Sequence, residues 1–173
     1  MSYQISDGIL ESELSKWLTK AGQKYGKFKD GRVNYTDADI APVVMITVVC
    51  GNKILLAKRG HGLADAEGYW STINGFIDED KPVAEIAAQE LKEEISLEMS
   101  PLKIKVGPSY TVKNLQEKRS YIIFPCLVKL DAKPEIVLDH EHTEFTWTKR
   151  GRLEQYHMLD DTSETIDAAL RLL

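Results

Sequence analysis

Residues 75 to 97 read GFIDEDKPVAEIAAQELKEEISL, and the second half of that stretch leaves the chain little choice of local structure. Ala84, Ala87, Ala88, Leu91 and Ile95 fall on one side of a helix at 3.6 residues per turn, while Glu90, Glu93 and Glu94 fall on another. Such a helix packs through its apolar face and presents three carboxylates on a second one. Residues three and four apart on a helix are about 5–6 Å apart at Cβ, so Glu93 and Glu94 flank Glu90 closely enough for their oxygens to converge on one cation. Without a cation the charges repel. Oxygen donors with no His or Cys among them favour Mg²⁺ or Mn²⁺ over zinc, and Mg²⁺ on a few carboxylates takes its other ligands from water and substrate phosphates. A glutamate-rich face is also common on plain solvated helices, so the surrounding residues decide between the two readings.

Those surroundings resemble the Nudix box of the Nudix (MutT-like) hydrolases, which runs Gly, five residues, Glu, seven residues, then Arg-Glu-apolar-any-Glu-Glu-any-Gly-apolar. Gly75, Glu90, Leu91, the pair Glu93 and Glu94, and Leu97 occupy matching positions. Lys81 stands where the first Glu is expected, Gln89 where the Arg is expected, and Ser96 where the second Gly is expected. In the family the Arg braces the metal-binding helix through a carboxylate, whereas Gln89 offers only a neutral hydrogen bond. Asp78, Glu79 and Asp80 precede Lys81 and can compensate for its charge. Glycine in place of Ser96 would suit a left-handed turn at the helix end. The similarity runs from about Pro42 to Lys149, with the first forty residues outside it.

The resemblance implies an α+β Nudix fold, a mixed β-sheet sandwiched between helices. It also implies a Mg²⁺- or Mn²⁺-dependent hydrolase that cleaves the diphosphate linkage of a nucleoside diphosphate joined to another group. Glu90, Glu93 and Glu94 are then the metal ligands, with Gly75 beside them. One of Glu93, Glu94, Glu141 and Glu144 acts as general base, and the two late candidates lie in the acidic, histidine-bearing segment DHEHTEFTWT. Arg59, following the second strand, is the candidate for substrate phosphate. His61 in the next loop is a weaker one, and His140 with His142 falls short of a zinc site because no spaced third ligand accompanies them. Tyr69, Trp70, Tyr110, Tyr121 and Phe145 are the aromatics available to stack on a base or to fill a core.

Elsewhere the pattern sketches the remaining elements. Ile9, Leu10, Leu14, Trp17 and Leu18 predict an amphipathic helix after Asp7, and Lys24 to Asp39 reads as a polar connecting segment with a short strand near Val33. Pro42 to Cys50 is a buried strand, turned by Gly51-Asn52 into a second strand over Lys53 to Lys58. Lys103 to Val112 and Ser120 to Leu130 read as two more, with the turn between them at Asn114 to Lys118, and another lies around Phe145 and Trp147. Asp161 to Leu173 predicts a final helix with Asp161 and Glu164 as a capping pair. A length of 173 residues suits one domain, residues 1–173, with residues 1–40 as a helical extension and connector.

A net charge of −5 with no basic cluster argues against a nucleic-acid duplex as partner and for a small nucleotide. Cys50 and Cys126 sit in apolar runs and read as buried thiols, which fits a reducing, cytoplasmic setting. No leader pattern or membrane-length segment is expected, and both monomer and homodimer stay open. Two other functions compete. Lys81 and Gln89 motivate a non-catalytic nucleotide-binding or regulatory module. Isopentenyl diphosphate isomerase shares the fold and a Trp ahead of Asn-Gly, but it needs a Cys where Ser71, Thr72 and Ile73 stand.

Overall fold

Val43, Val44, Ile46, Val48 and Val49 fill β2 (Ile40–Cys50) with branched side chains that favour extended backbone. In the computed structural model, which describes residues 3–60, 67–114 and 119–173, β8 (Ser120–Leu130) runs parallel to β2 along its whole length. A parallel pair is covered on both faces, which is why both strands are near-continuous apolar runs. Gly51, at a φ of 57°, turns β2 into the antiparallel β3 (Lys53–Arg59). Onto β3 pair the short β4 (Trp70–Ser71) and the late β9 (His142–Thr148). The other half of β2 pairs with β5 (Ile73–Phe76), so two different partners share one edge of the central strand. Beyond β8 come β6 (Ile104–Val106), β7 (Tyr110–Asn114) and, at the rim, β1 (Tyr3–Asp7).

Strand alternation sorts the side chains into two layers. Val44, Ile46, Val48, Leu55, Ala57, Phe124 and Cys126 join Leu91 and Ile95 of α2 (Val83–Ile95) in one buried cluster, which also takes Leu14, Leu18 and Ala21 of α1 (Leu14–Tyr25). Val49, Ile54, Leu56 and Leu127 point the other way, onto Ile166 and Ala169 of α3 (Thr162–Leu170). The outcome is the mixed sheet between helices, α/β/α, that the resemblance implied. Both cysteines are free thiols, Cys126 buried and Cys50 half-buried. Among the described residues no helix is long and apolar enough to cross a membrane.

Several elements differ from the expectation. The first helix begins at Leu14 and runs to Tyr25, later than Ile9 and Leu10 suggested, and a strand precedes it. That strand, YQISD, exposes most of its side chains and is held by its backbone pairing to β7, so it carries no apolar pattern. The stretch from Lys103 to Val112 is two strands separated at Gly107. The polar connector supplies buried Val33, Tyr35 and Ala38 to the core, with only a bridge between Lys27 and Val33 for the expected strand. The final helix lacks the capping pair: Asp161 takes a left-handed conformation at φ 68° without a side-chain cap, and Glu164 accepts instead from the Tyr3 hydroxyl. The turn expected across 115–118 and His61 lie outside the described residues.

Candidate active site

The loop from β5 to α2 sets the distance between Gly75 and the glutamates. Gly75 lies against Glu90 so closely that a side-chain carbon on it would stand 2.1 Å from the Glu90 carboxyl carbon. Glycine here lets the Glu90 carboxyl rest where any side chain would push it aside. Glu90 is half-buried; burial, ahead of repulsion from Glu93, Asp78 and Glu141, pushes its carboxyl up to about 8, with Arg32 pulling the other way. One turn on, Glu94 is 7% exposed, and burial followed by the charges of Glu90, Asp139 and Glu141 drives its carboxyl well above the usual carboxylate range, opposed by Arg59. Glu93 faces solvent and accepts a 2.9 Å hydrogen bond from Gln89 Nε2. Gln89 therefore engages a site carboxylate as a neutral donor.

A β-bulge completes one side of the site. Up to Lys58 the β3–β9 register places Glu144 opposite Lys58, and then it slips so that Arg59 faces His142. The slip brings the buried His142 ring round to Glu94, Nε2 lying 3.6 Å from Oε2, while its Nδ1 sits 3.0 Å from Asp139 Oδ1. Neither His142 Nε2 nor Glu94 Oε2 has a hydrogen-bond partner. The backbone ties this corner down as well, with Asp139 N–H donating to Glu94 O at 3.0 Å and Gly60 N–H to Glu141 O at 2.7 Å. Arg59 is half-buried and its Nε has no partner either.

Glu144 lies elsewhere. It forms a 2.7 Å ion pair with Lys58, whose neighbour Leu56 two residues back packs in the α3 layer, so this pair belongs to the face of the sheet away from α2. Glu141, by contrast, is close enough to raise both Glu90 and Glu94. The aromatics divide in the same way. Trp70 packs in the α3 layer and meets Tyr156 edge-on, Tyr69 stacks on His157, Tyr110 bonds Thr165, and Arg119 lies over Tyr121. Phe145, opposite Ala57, is on the α2 face and 42% exposed.

Arg32, Asp139 and the role of His142 were not anticipated. Arg32 sits in the polar connector, where nothing in the local pattern separates it from any surface arginine; it pairs with Asp30 at 2.9 Å and approaches Asp78 at 3.6 Å. His142 reaches Glu94 only through the bulge, and that slip has no signature in its own sequence.

No three His, Cys, Asp or Glu side chains among the described residues are already gathered to grip an ion. The donor chemistry nonetheless fits a hard cation. The carboxylates of Glu90, Glu94 and Glu141 are near enough to act on one another's charge, one buried oxygen of Glu94 has no partner, and Gly75 leaves room for the Glu90 carboxyl.

A family model described as the NUDIX domain matches residues 40–171. No curated protein matches the chain significantly. Among solved structures, a MutT/nudix family protein from Enterococcus faecalis superposes with a TM-score of 0.56 at 18% identity, over 79% of this chain and 51% of that one. A MutT NUDIX hydrolase from Burkholderia pseudomallei gives 0.64 at 18% identity, over 75% and 97%. A bifunctional NMN adenylyltransferase/ADP ribose pyrophosphatase from Francisella tularensis, complexed with AMP and Mn ion, gives 0.61 at 18% identity, over 91% and 47%. The chain thus spans about half the length of the first and last of these proteins, and at such identities the likeness shows the fold.

Proposed function

The chain belongs to the Nudix family of hydrolases, and from that premise we propose that it cleaves the diphosphate linkage of a nucleoside diphosphate joined to another group, with Mg²⁺ or Mn²⁺ as cofactor. The observation that carries the reading is the crowding of Glu90 and Glu94, two carboxyls raised by burial and by the acidic side chains around them, against a glycine that makes room for one of them. A lone helix surface would not bury like charges together, because each isolated buried carboxylate costs several kcal/mol.

Glu90, Glu93 and Glu94, with Gly75 beside them, are the residues that would hold the cation, which when bound neutralises phosphate oxygens and makes water more acidic. The chain's own groups do the rest. Glu141 is the general base: it faces the same cluster, and Glu144 is occupied by Lys58 on the other face. Arg59, with an unpaired Nε on the α2 face, binds a phosphate oxygen of the substrate and offsets its charge. His142, held by Asp139, packs its ring beside the Glu94 carboxyl and walls that side of the site. Phe145 offers an exposed ring on this face for a base to stack on.

The test is release of phosphate and nucleotide from a panel of nucleoside triphosphates, ADP-ribose, nucleotide sugars and dinucleoside polyphosphates, with Mg²⁺, with Mn²⁺ and with a chelator. Glu93→Gln/Glu94→Gln protein serves as the blank. Metal-dependent release absent from the blank is the expected result. Compounds that raise the melting temperature without turning over would instead identify a nucleotide-binding module, in which Lys81 and Gln89 have disabled the box.

A further inference from the structure

The family match begins at residue 40, yet the residues before it converge on one short loop of the matched domain. Glu11 Oε1 accepts a 2.9 Å hydrogen bond from the backbone N–H of Val83, the first residue of α2. Ser15 Oγ donates to Asp80 Oδ2 at 2.8 Å. Val33 N–H donates to Asp78 O at 2.9 Å, the Tyr35 hydroxyl donates to Ile77 O at 2.9 Å, and Arg32 approaches the Asp78 carboxylate at 3.6 Å. Five contacts from residues 11–35 thus fall on residues 77–83, the segment that spaces Gly75 from the carboxylate helix. They lie far apart in sequence, so the grouping is a product of the fold.

The helix needs this help. Its N-cap is Pro82, which has no side-chain cap to offer the free N–H groups of the first turn. Glu11 supplies the missing acceptor from 72 residues away, and its negative charge also suits the positive end of the helix dipole. The brace that Nudix relatives take from an Arg is a Gln here, Gln89, and it holds only Glu93.

We propose that Glu11 is a positioning residue for the proposed metal site, capping α2 from outside the family domain so that Glu90 and Glu94 keep their placement against Gly75. The proposal rests on the hydrolase reading given above. Loss of the cap lets the start of α2 fray and the glutamates drift, which weakens cation binding before it harms the fold. A group bonded directly to a metal ligand typically accounts for about 10- to 100-fold in metal affinity, and Glu11, acting through the helix start, belongs at the low end of that range.

Mn²⁺ titrations followed by electron paramagnetic resonance, together with amide hydrogen exchange, test the idea on the full chain. Glu11→Ala should weaken Mn²⁺ binding by roughly tenfold and speed exchange at Val83 and Ala84, and Glu11→Gln should restore most of both because its amide oxygen still accepts. Ile166→Val, in the cluster on the far side of the sheet, controls for lost stability and should leave Mn²⁺ affinity unchanged. The proposal is overturned if Glu11→Ala binds Mn²⁺ as the parent does, if Ile166→Val weakens binding equally, or if Glu11→Gln is no better than Ala. A parent protein that binds no Mn²⁺ would overturn the hydrolase reading and this one with it; the first three results leave that reading standing.

Discussion

Gly75 and Glu90, fifteen residues apart, are in such close contact that a methyl group on the first would overlap the carboxyl of the second, at 2.1 Å from both Cδ and Oε1. Gly75→Ala must therefore displace either the Glu90 carboxyl or the β5 backbone that carries Gly75. Overpacking of this kind costs about 1–3 kcal/mol, so a fall in melting temperature should accompany a larger fall in turnover. A variant with parental turnover would show that Glu90 has no fixed place in the site.

The two late glutamates separate by face. Glu141→Gln should cut turnover by roughly 100-fold with little change in stability, since it removes the proton acceptor. Glu144→Gln should stay within about threefold of the parent, because its exposed pair with Lys58 contributes only about 0–1 kcal/mol to stability. Steady-state rates on the best substrate decide, and a reversed order would assign the base to Glu144.

Ser96 ends α2 in the left-handed region at φ 56°, with its N–H bonded to Lys92 O and that of Leu97 to Leu91 O. A side chain there costs about 1 kcal/mol that glycine avoids. Ser96→Gly should raise the melting temperature by about 2–4 °C, measured by calorimetry.

Asp161 is a pH-sensitive liability on the opposite side of the sheet. Burial, then Glu164 and Asp160, raises its carboxyl to about 7. In the unfolded chain the same group ionises near pH 4, so between these values the unfolded state gives up its proton first, and stability falls as pH rises from about 4 to about 7. Asp161→Asn carries no such charge and tolerates the left-handed backbone. Its melting temperature should gain on the parent across that window and hold the gain above it; a constant gap from pH 4 to 8 would contradict the burial argument.

Periodicity was enough to find α2, β2, β3 and β8, because each buries a face or both faces and so must carry an apolar pattern. It was silent on β1, whose pairing is made by backbone alone, and it placed the start of the first helix too early because Leu10 is apolar but 67% exposed. Gly75 and the three box glutamates stand out because a helix and a close approach fix their residue types. From sequence alone Glu144 is slightly preferred over Glu141, and two residues three apart at the mouth of a strand are told apart only once the register and its bulge are known. Arg32 lies in a connector with no pattern and Glu11 on the polar side of the predicted first helix, and only long-range folding brings them to Asp78 and to the first residue of α2.

The parallel ladder between β2 and β8 has a price in time. It joins residues 80 positions apart, and β1 meets β7 across more than a hundred. During synthesis the central strand can pair early with β3 and β5, but its other edge stays open until β8 has emerged. Pairings this distant form slowly, and an unprotected apolar edge invites another chain to dock on it. Yield of soluble protein is then governed by how long that edge waits and how many such chains wait together, so a lower level of expression should favour the native chain over aggregates.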